Sequence, residues 1–124
     1  MTEQHILSLP AGRELDLRVG VGIGAFVPAA LAWLDDPKMM AYLRDGEECP
    51  PPRYSTDVAA ALGVVEALRS RRRVVTVKAD GLRKPGASAY TVLVDGLPRV
   101  DAETAPLAIC RAALLVAASP ASLP

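Results

Sequence analysis

The sequence contains few of the residues that build metal sites and catalytic centres. Of its 124 residues, 4% are aromatic, one is a histidine and two are cysteines. Cys49 and Cys110 lack C-x-x-C spacing and His5 stands alone near the N-terminus, so a zinc site would be short of ligands. The few aromatic rings also provide little surface on which bases could stack. We therefore expect no metal, no other cofactor and two reduced thiols.

The chain also lacks an excess of either charge. Fourteen basic residues balance fourteen acidic residues, and the formal net charge is zero. No overall field draws such a protein to nucleic acid or to an anionic membrane, so either partner would need a local patch. On these grounds we do not expect nucleic acid or membrane as a partner.

A long hydrophobic run is absent as well. Residues 19–34 carry no charge, but the stretch is short for a membrane span and contains three glycines and Pro28. The N-terminus has no basic start followed by an apolar stretch, which disfavours a secretory signal. We expect a single domain over residues 1–124, with a loose N-terminus at residues 1–8 and a loose tail at residues 119–124.

The stretch GVGIGA, residues 20–25, satisfies the G-x-G-x-x-G/A pattern of dinucleotide-binding turns. Residues 9–19 before it have two interpretations. The alternation of Leu15 and Leu17 with polar residues predicts a strand, whereas the i, i+4 spacing of Leu15 and Val19 predicts a helix. The dinucleotide pattern also needs a strand ending in an acidic residue about twenty residues later, and none follows. We therefore disfavour dinucleotide binding.

A helix is indicated after the prolines at positions 50–52. Each proline fixes its own φ and keeps the preceding residue out of the helical region, so the chain is extended there. Ser55 or Thr56 is placed to cap the helix, and Asp57 suits the positive end of its dipole. The helix is expected to end near Ser70. Its predicted buried face comprises the apolar residues at helical spacing, Val58, Leu62, Val65 and Leu68.

Two strands and a turn follow this helix. Residues 74–79 and 89–94 are rich in β-branched residues, and the loop between them predicts an antiparallel hairpin. The pair Asp95-Gly96 then turns the chain. Because two strands alone are marginally stable, we expect a third strand or packing helices to complete the sheet.

The last predicted element is a helix over residues 104–118. Thr104 is a good N-cap, and Pro106 is tolerated in the first turn. The apolar residues form two stripes, and Arg111 is the single charge that interrupts them. Such a helix is buried on more than one side, either inside the domain or against a second copy. A homodimer through this helix is therefore one prediction.

Three blocks of sequence resemble the phage ABA sandwich domain, a family of small bacteriophage and prophage proteins. The blocks are PRYSTDVAAALGVVEAL at residues 52–68, ETAPLAICRAAL at residues 103–114 and AGRELD at residues 11–16. The resemblance implies helices on both faces of a central sheet, and a helix over residues 11–19 that would end near Gly20. We therefore expect an α+β fold, in which a small antiparallel sheet, a hairpin plus a third strand, is layered with helices as an α/β/α sandwich.

Three groups of polar residues are candidate binding sites for a partner or an anion. They are the start of the central helix, with Tyr54, Ser55, Thr56 and Asp57; the arginine run at its end, with Arg69, Arg71, Arg72 and Arg73; and Arg111 in the last helix. Each group also has a structural explanation, as an N-cap, a complement to a helix dipole and an ion pair, respectively. No acid–base pair and no nucleophile beside a base stands out, so we expect no catalysis.

These observations predict a phage or prophage accessory protein that acts in the host cytoplasm by binding a host or phage protein. Inhibition of a host defence component, such as a CRISPR–Cas complex, is one specific form of this hypothesis. A second hypothesis is a protein that binds a small ligand, such as a nucleotide signal, through residues 55–57 and the arginines. A third is nucleic acid binding through the patch Arg69–Arg73.

Overall fold

The computed structural model describes residues 2–26, 31, 41–42, 48–49, 52–84 and 87–118. Within these residues the chain forms four α-helices and five strands. In chain order they are α1 (Glu3–Ser8), α2 (Arg13–Gly22), β1 (Ala41–Tyr42), β2 (Glu48–Cys49), α3 (Val58–Ser70), β3 (Val75–Ala79), β4 (Tyr90–Val94), β5 (Val100–Ala102) and α4 (Ala105–Ala118). None of the described helices is both long and apolar enough to cross a membrane. The tail, residues 119–124, lies outside the described residues.

Strands β3, β4 and β5 form an antiparallel sheet with β4 in its centre. In the β3–β4 hairpin, Val75 pairs with Val94 and Ala79 pairs with Tyr90. On the other side of β4, Tyr90 pairs with Ala102 of β5. Strands β1 and β2 form a second, two-stranded antiparallel sheet. The predicted hairpin and third strand are thus confirmed, and the fold is α+β.

Helix α4 lies at the centre of the core. It packs against β4 and β5 of the sheet and also against α2, α3 and α1. Every residue from Pro106 to Val116 except Arg111 is buried. Burial around a whole helix requires neighbours on more than one side, and here the chain itself supplies them. Helix α4 therefore presents no exposed apolar stripe to a second copy. The homodimer predicted through residues 104–118 stays a prediction without support from this surface.

Capping residues set the starts of the two longest helices. Thr104 Oγ1 accepts a hydrogen bond from the Leu107 amide at 3.3 Å, as expected for an N-cap of α4. The predicted cap of α3, Ser55 or Thr56, is wrong. The N-cap is Asp57, whose Oδ1 accepts from the Ala59 amide at 3.0 Å, because Ser55 is already bonded to α2.

The first described residues form a short capped helix that contacts the core. Helix α1 is capped by Thr2, whose Oγ1 accepts from the His5 amide at 3.2 Å. The side chains of Ile6 and Leu9 are buried in the core cluster. The looseness predicted for residues 1–8 stays a prediction, and the burial of Ile6 and Leu9 weakens it.

The residues before the glycine-rich stretch are helical. Because α2 spans Arg13–Gly22, no strand leads into a phosphate-binding turn there. Gly20 is needed for packing, since a Cβ at this position would collide with the Phe26 ring. Gly24 adopts a φ of 81°, which favours glycine. The glycine pattern therefore belongs to a helix end and the turn after it, as the family resemblance implied.

Helix α3 buries a different face from the predicted one. Its buried residues are Ala61, Val64 and Leu68, whereas Val58 and Leu62 are 57% and 56% exposed. Ala61 has no side-chain atom beyond Cβ, so α3 approaches α4 closely on this face. The predicted face is wrong at Val58 and Leu62, which are left on the surface.

Candidate functional site

A buried polar cluster of Ser55, Asp16 and Gly12 joins the start of α3 to α2. Ser55 donates twice to Asp16 Oδ1, from its hydroxyl at 2.6 Å and from its backbone amide at 2.8 Å. Its Oγ also accepts from the Gly12 amide at 2.9 Å. Ser55 and Asp16 are 1% and 5% exposed. The polar groups of the Ser55 side chain are thus occupied within the chain, and they are shielded from a ligand.

Burial controls the protonation of this cluster. Desolvation raises the pKa of Asp16 above its ordinary value of 3.8, although the hydrogen bonds from Ser55 and the charge of Arg53 act in the opposite direction. The Cys110 thiol is buried as well, and burial together with the Asp16 carboxylate raises its pKa to about 12. A thiol with this pKa is protonated at neutral pH and is a poor nucleophile.

The four residues predicted as a polar binding segment are not all accessible. Tyr54 and Ser55 are buried, whereas Thr56 and Asp57 are exposed. Asp57 Oδ1 is used to cap α3. The segment is therefore mainly structural, and of these four residues only Thr56 and Asp57 present their side chains to a partner.

The first two arginines of the run are engaged by neighbours within the chain. Arg69 Nη1 lies 3.5 Å from Glu66 Oε2, one helical turn earlier on α3. Arg71 Nη1 donates to the Gly22 carbonyl at 2.9 Å. Because Gly22 is the last residue of α2, this contact satisfies a terminal carbonyl and places a cation at the negative end of the helix dipole.

Arg72 ends α3 in a left-handed conformation. Its φ is 62°, an unfavourable value for a residue with a side chain. The Arg72 amide donates to the Arg69 carbonyl at 2.9 Å, and the Arg73 amide donates to the Leu68 carbonyl at 3.1 Å. These two bonds form the Schellman turn that usually has glycine at the position of Arg72. Arg72 is therefore a strained residue whose backbone, rather than its charge, terminates the helix.

Arg73 points into the protein rather than outward. Its side chain is 12% exposed, and its Nε lies 3.9 Å from Asp95 Oδ1, too far for a hydrogen bond. Among the described residues, neither Nε nor Nη2 of Arg73 has a hydrogen-bond partner. The run thus does not form one patch of exposed cations. Arg72 is exposed, and Arg69 is exposed but paired with Glu66. Nucleic acid binding through Arg69–Arg73 stays a prediction. The contacts of these arginines within the chain argue against it.

Arg111 links α4 to the N-terminal segment. Its Nε and Nη2 donate to the Leu9 carbonyl at 3.0 Å and 2.8 Å. Burial lowers the pKa of the guanidinium, and the charge of Glu103 opposes that shift. Arg111 is thus a structural residue, but its bonded partner is a backbone carbonyl rather than the carboxylate that the sequence suggested.

Four exposed aliphatic side chains lie on α3, just before β3 and in the middle of β3. Val58 and Leu62 of α3 are 57% and 56% exposed, and Val74 and Val77 are 67% and 42% exposed. Residues four apart share a helix face, so Val58 and Leu62 lie side by side. Helix α3 and strand β3 also contact each other. Val74 is an odd number of positions from Val77, so its side chain points to the opposite face of the sheet. We call the side chains of Val58, Leu62 and Val77 the α3–β3 surface.

Strand β3 is an edge of the sheet and its most exposed strand. Val77 lies opposite Val92 on the helix-facing side of the sheet. Val92 is buried, whereas Val77 is nearly half exposed, because α4 packs mainly over β4 and β5. The helix layer therefore leaves part of the apolar side of β3 uncovered.

The face of the sheet that turns away from α4 carries charged residues around an open recess of about 460 Å³. Lys78 and Arg99 both line it. Arg99 Nη2 lies 3.1 Å from Asp101 Oδ2, and Thr91 donates to Asp101 Oδ1 at 2.5 Å. The bond from Thr91 is the main cause that lowers the pKa of Asp101, with the Arg99 and Arg83 charges adding to it. The cations of the recess therefore lie beside an ionised carboxylate, that of Asp101, which is paired with Arg99.

Metal ligands are not grouped in the part of the chain that the structure describes. Within those residues no three or more histidine, cysteine, aspartate and glutamate side chains are placed to hold an ion. The prediction that the protein has no metal stays untested.

The sequence model of the phage ABA sandwich domain matches residues 29–114 of this chain. The chain belongs to the phage ABA sandwich domain family. Two of the blocks that carried the resemblance, residues 52–68 and 103–114, lie inside the match, whereas residues 11–16 lie outside it. The ABA sandwich domain therefore contains α3 and the whole β3–β5 sheet, and with them the α3–β3 surface.

A solved structure supports the same assignment. It is the 2.0 Å crystal structure of a phage protein from Bacillus cereus ATCC 14579, to which this ABA sandwich chain is 27% identical with a TM-score of 0.64. The similarity covers 86% of this chain and 92% of that one. A search of the curated proteins finds no match. The two matches describe a phage protein of this fold, and neither names a reaction or a partner.

Sequence reasoning missed the α3–β3 surface because it placed Val58 and Leu62 in the core. Alanines at positions 59–61 and Gly63 make several faces of α3 apolar, so the pattern offers no unique buried face. No sequence signal indicates that Val77 is exposed, because the alternation of apolar and polar residues along β3 is that of an ordinary half-buried strand. Its position at the sheet edge depends on the strand order.

Proposed function

We propose that this phage ABA sandwich protein acts without catalysis, by binding a host or phage protein through the α3–β3 surface. The observation that carries the proposal is the exposure of Val58 and Leu62, each more than half accessible on one face of a regular helix. Complete burial of a fully exposed valine or leucine side chain contributes about 1.5–3 kcal/mol, and covering the exposed half of each side chain gains roughly half of that. A partner that covers these side chains therefore gains a substantial part of its binding free energy there.

The phage setting supports a partner in the infected host. Membership of a phage domain family and similarity to a phage protein both indicate that setting. We propose the host cytoplasm as the site of action and a defence component, such as a CRISPR–Cas complex, as the specific partner class. A small protein that occludes a surface of a larger one inhibits it through binding alone, and a few buried side chains supply most of the affinity.

Affinity capture from host cells tests the proposal. The tagged full chain and its Leu62→Glu variant are expressed in the host, and the retained proteins are identified by mass spectrometry. Leu62 is mostly exposed, so glutamate at this position preserves the fold. The carboxylate would have to be desolvated in an apolar interface, so the variant should lose any protein held by the α3–β3 surface.

Leu82→Glu is the matched control for this experiment. Leu82 is 98% exposed and lies between β3 and β4, outside the α3–β3 surface. The proposal predicts that a retained protein survives Leu82→Glu and is lost with Leu62→Glu. Equal retention by both variants contradicts the assigned surface, and equal loss by both indicates nonspecific hydrophobic adsorption.

A second candidate function is binding of a small anionic ligand, and the recess on the outer face of the sheet favours it. Its cations are Lys78, Arg83 and Arg99, whereas the sequence pointed to the start of α3, where Ser55 is already bonded to Asp16. Thermal shift assays with cyclic dinucleotides and ADP-ribose derivatives test this function. A rise in Tm that disappears in Lys78→Gln supports it, and no rise across the panel removes it.

A further inference from the structure

Two hydrogen bonds show which backbone groups of β3 face its partner strand. The Asp95 amide donates to the Val74 carbonyl at 3.2 Å, and the Asp80 amide donates to the Ala89 carbonyl at 2.8 Å. In an antiparallel pair, hydrogen-bonded positions recur at every second residue. The even-numbered residues of this segment therefore bond to β4, and the odd-numbered residues of β3 turn their amides and carbonyls away from it.

The outer edge of β3 thus presents the backbone groups of Val75, Val77 and Ala79. No residue in the described part of the chain bonds to these groups. Residues 76–79 are exposed to solvent, and none of the described residues covers the edge. Such a row of unpaired donors and acceptors is a template for an additional strand.

The two sides of this edge differ in chemistry. On the side towards α4 the strand carries Val75 and Val77, and Val77 is 42% exposed. On the outer side Lys78 lines the recess, and no carboxylate among the described residues lies within 4 Å of its amine. By contrast, Arg83 and Arg99 of the same recess lie 3.4 Å and 3.1 Å from carboxylate oxygens. Among the described cations of the recess, Lys78 is therefore the one without a carboxylate partner.

We infer that the partner protein adds an extended strand to β3, and that this strand alternates apolar with acidic side chains. The inference rests on the proposed function and specifies the chemistry of the partner. Successive side chains of a strand point to opposite faces of a sheet. An added strand therefore places every second side chain beside Val75 and Val77, and the intervening side chains beside Lys78. Apolar residues match the first set, and carboxylates match the second.

A second copy of this chain matches the edge less well. When β3 is paired antiparallel with itself about Val77, Lys78 lies opposite Thr76 of the second copy. This pairing satisfies the backbone groups but brings no carboxylate to Lys78. Charge complementarity therefore favours a strand from a different protein, and self-pairing becomes an outcome that the experiment must detect.

Titration of the full chain with three synthetic peptides tests the inference. The first alternates valine and glutamate over about seven residues, the length of an ordinary strand. The second alternates valine and lysine, and the third contains the valines and glutamates in separate blocks. We expect the first peptide to shift the NMR signals of the Val75, Val77 and Ala79 amides and to slow their exchange. Its affinity should exceed that of the other two by about tenfold.

Two variants examine the backbone and the charge separately. Val77→Pro removes an outward amide that makes no bond in the sheet, so the edge tolerates it, and peptide binding should fall by about tenfold or more. Val77→Thr keeps the amide and the branched shape and is its matched control. Lys78→Glu should reverse the preference, so that the lysine peptide binds better than the glutamate peptide. Lys78 is exposed, so Lys78→Glu should fold normally. The reversed peptide preference therefore tests the inference even if Val77→Pro does not fold.

Three experiments each have a result that overturns the inference: the peptide titration, the measurement of oligomeric state and the affinity capture. The first result is no change at the odd-numbered amides with any peptide, or equal binding of the glutamate and lysine peptides to the wild type. The second result is concentration-dependent dimerisation that Val77→Pro abolishes, which assigns the edge to a second copy. The third result comes from the affinity capture: Leu62→Glu loses the host protein, whereas Lys78→Glu and Val77→Pro retain it. That result rejects the added strand and leaves the proposed function standing.

Discussion

Ser55 Oγ lies 2.6 Å from Asp16 Oδ1 and joins two parts of the chain that are 39 residues apart. The Ser55 amide donates to the same oxygen, so one carboxylate oxygen holds the segment before α3 against α2. Asp16 is almost fully buried, and its ionised form loses hydration that these two bonds replace incompletely. The contact therefore fixes the arrangement of α2 and α3, whereas the desolvation of the carboxylate costs stability when Asp16 is ionised.

Asp16→Asn should gain stability over the wild type as the pH rises. The pKa of Asp16 is raised on folding, so the wild type loses stability as the pH increases from 3.8 through the folded-state pKa. Asparagine keeps an oxygen that accepts from both Ser55 donors, and it does not titrate. Urea unfolding at about pH 4 and about pH 7 measures the free energy of unfolding of both proteins. The value for Asp16→Asn minus the value for the wild type should be larger at pH 7 than at pH 4.

Asp16→Ala is the control for this prediction. It removes the acceptor and leaves the buried donors of Ser55 without a partner, which should lower the free energy of unfolding by about 1–3 kcal/mol. A difference between Asp16→Asn and the wild type that stays constant over this pH range contradicts the assignment of a raised pKa.

Arg72→Gly should stabilise the protein. The φ of Arg72 is 62°, and a side chain in this conformation costs roughly 1 kcal/mol that glycine avoids. The expected rise in Tm is about 4 °C for a domain of this size. Arg72→Ala removes the same charge but keeps the strain, so its Tm should stay close to that of the wild type. A similar rise in both variants would assign the effect to charge instead.

Two glycines in helices should respond in opposite ways to alanine. A Cβ at Gly20 would collide with the Phe26 ring, so Gly20→Ala should lose about 1–3 kcal/mol. A Cβ at Gly63 on α3 would meet no atom within 4 Å, so Gly63→Ala should gain about 0.5–1 kcal/mol. Denaturant unfolding compares the two variants. A stable Gly20→Ala protein would show that Phe26 does not pack on α2.

The sequence predicted those elements that depend on local signals. The strands near residues 74–79 and 89–94, the Thr104 cap and the helix after the prolines all follow from turn residues, caps and propensity. The partners of Ser55 and Arg111 do not, because Asp16 lies 39 residues from Ser55 and Leu9 lies 102 residues from Arg111. Local sequence carries no information on contacts of this range.

The candidate site was harder to predict than the fold. The arginines and the polar start of α3 stand out in a sequence as functional residues, yet Ser55, Arg71 and Arg73 are used mainly within the chain. The exposed valines and Leu62 resemble core residues by type, so their composition alone assigns them to the interior. Only the order of the strands and the choice of α3 face show that Val77 and Leu62 are left uncovered.

Arg111→Met should release the N-terminal segment from α4. The substitution removes two donors to the Leu9 carbonyl, with an expected loss of about 1–3 kcal/mol. Hydrogen exchange at the Ile6 and Leu9 amides should become faster than in the wild type, because α1 loses its link to α4. Arg18→Met is the control, since Arg18 forms an i, i+4 pair with Glu14 on the surface. Its loss should stay below about 0.5 kcal/mol.

Site-specific photo-crosslinking in host cells tests the central claim most directly. A photoreactive amino acid replaces Val58, Leu62 or the control position Leu82, one at a time, in the full chain. Binding through the α3–β3 surface predicts that positions 58 and 62 trap the same host or phage protein and that position 82 traps none of it. No adduct from positions 58 and 62, or the same adduct from all three, would contradict the account.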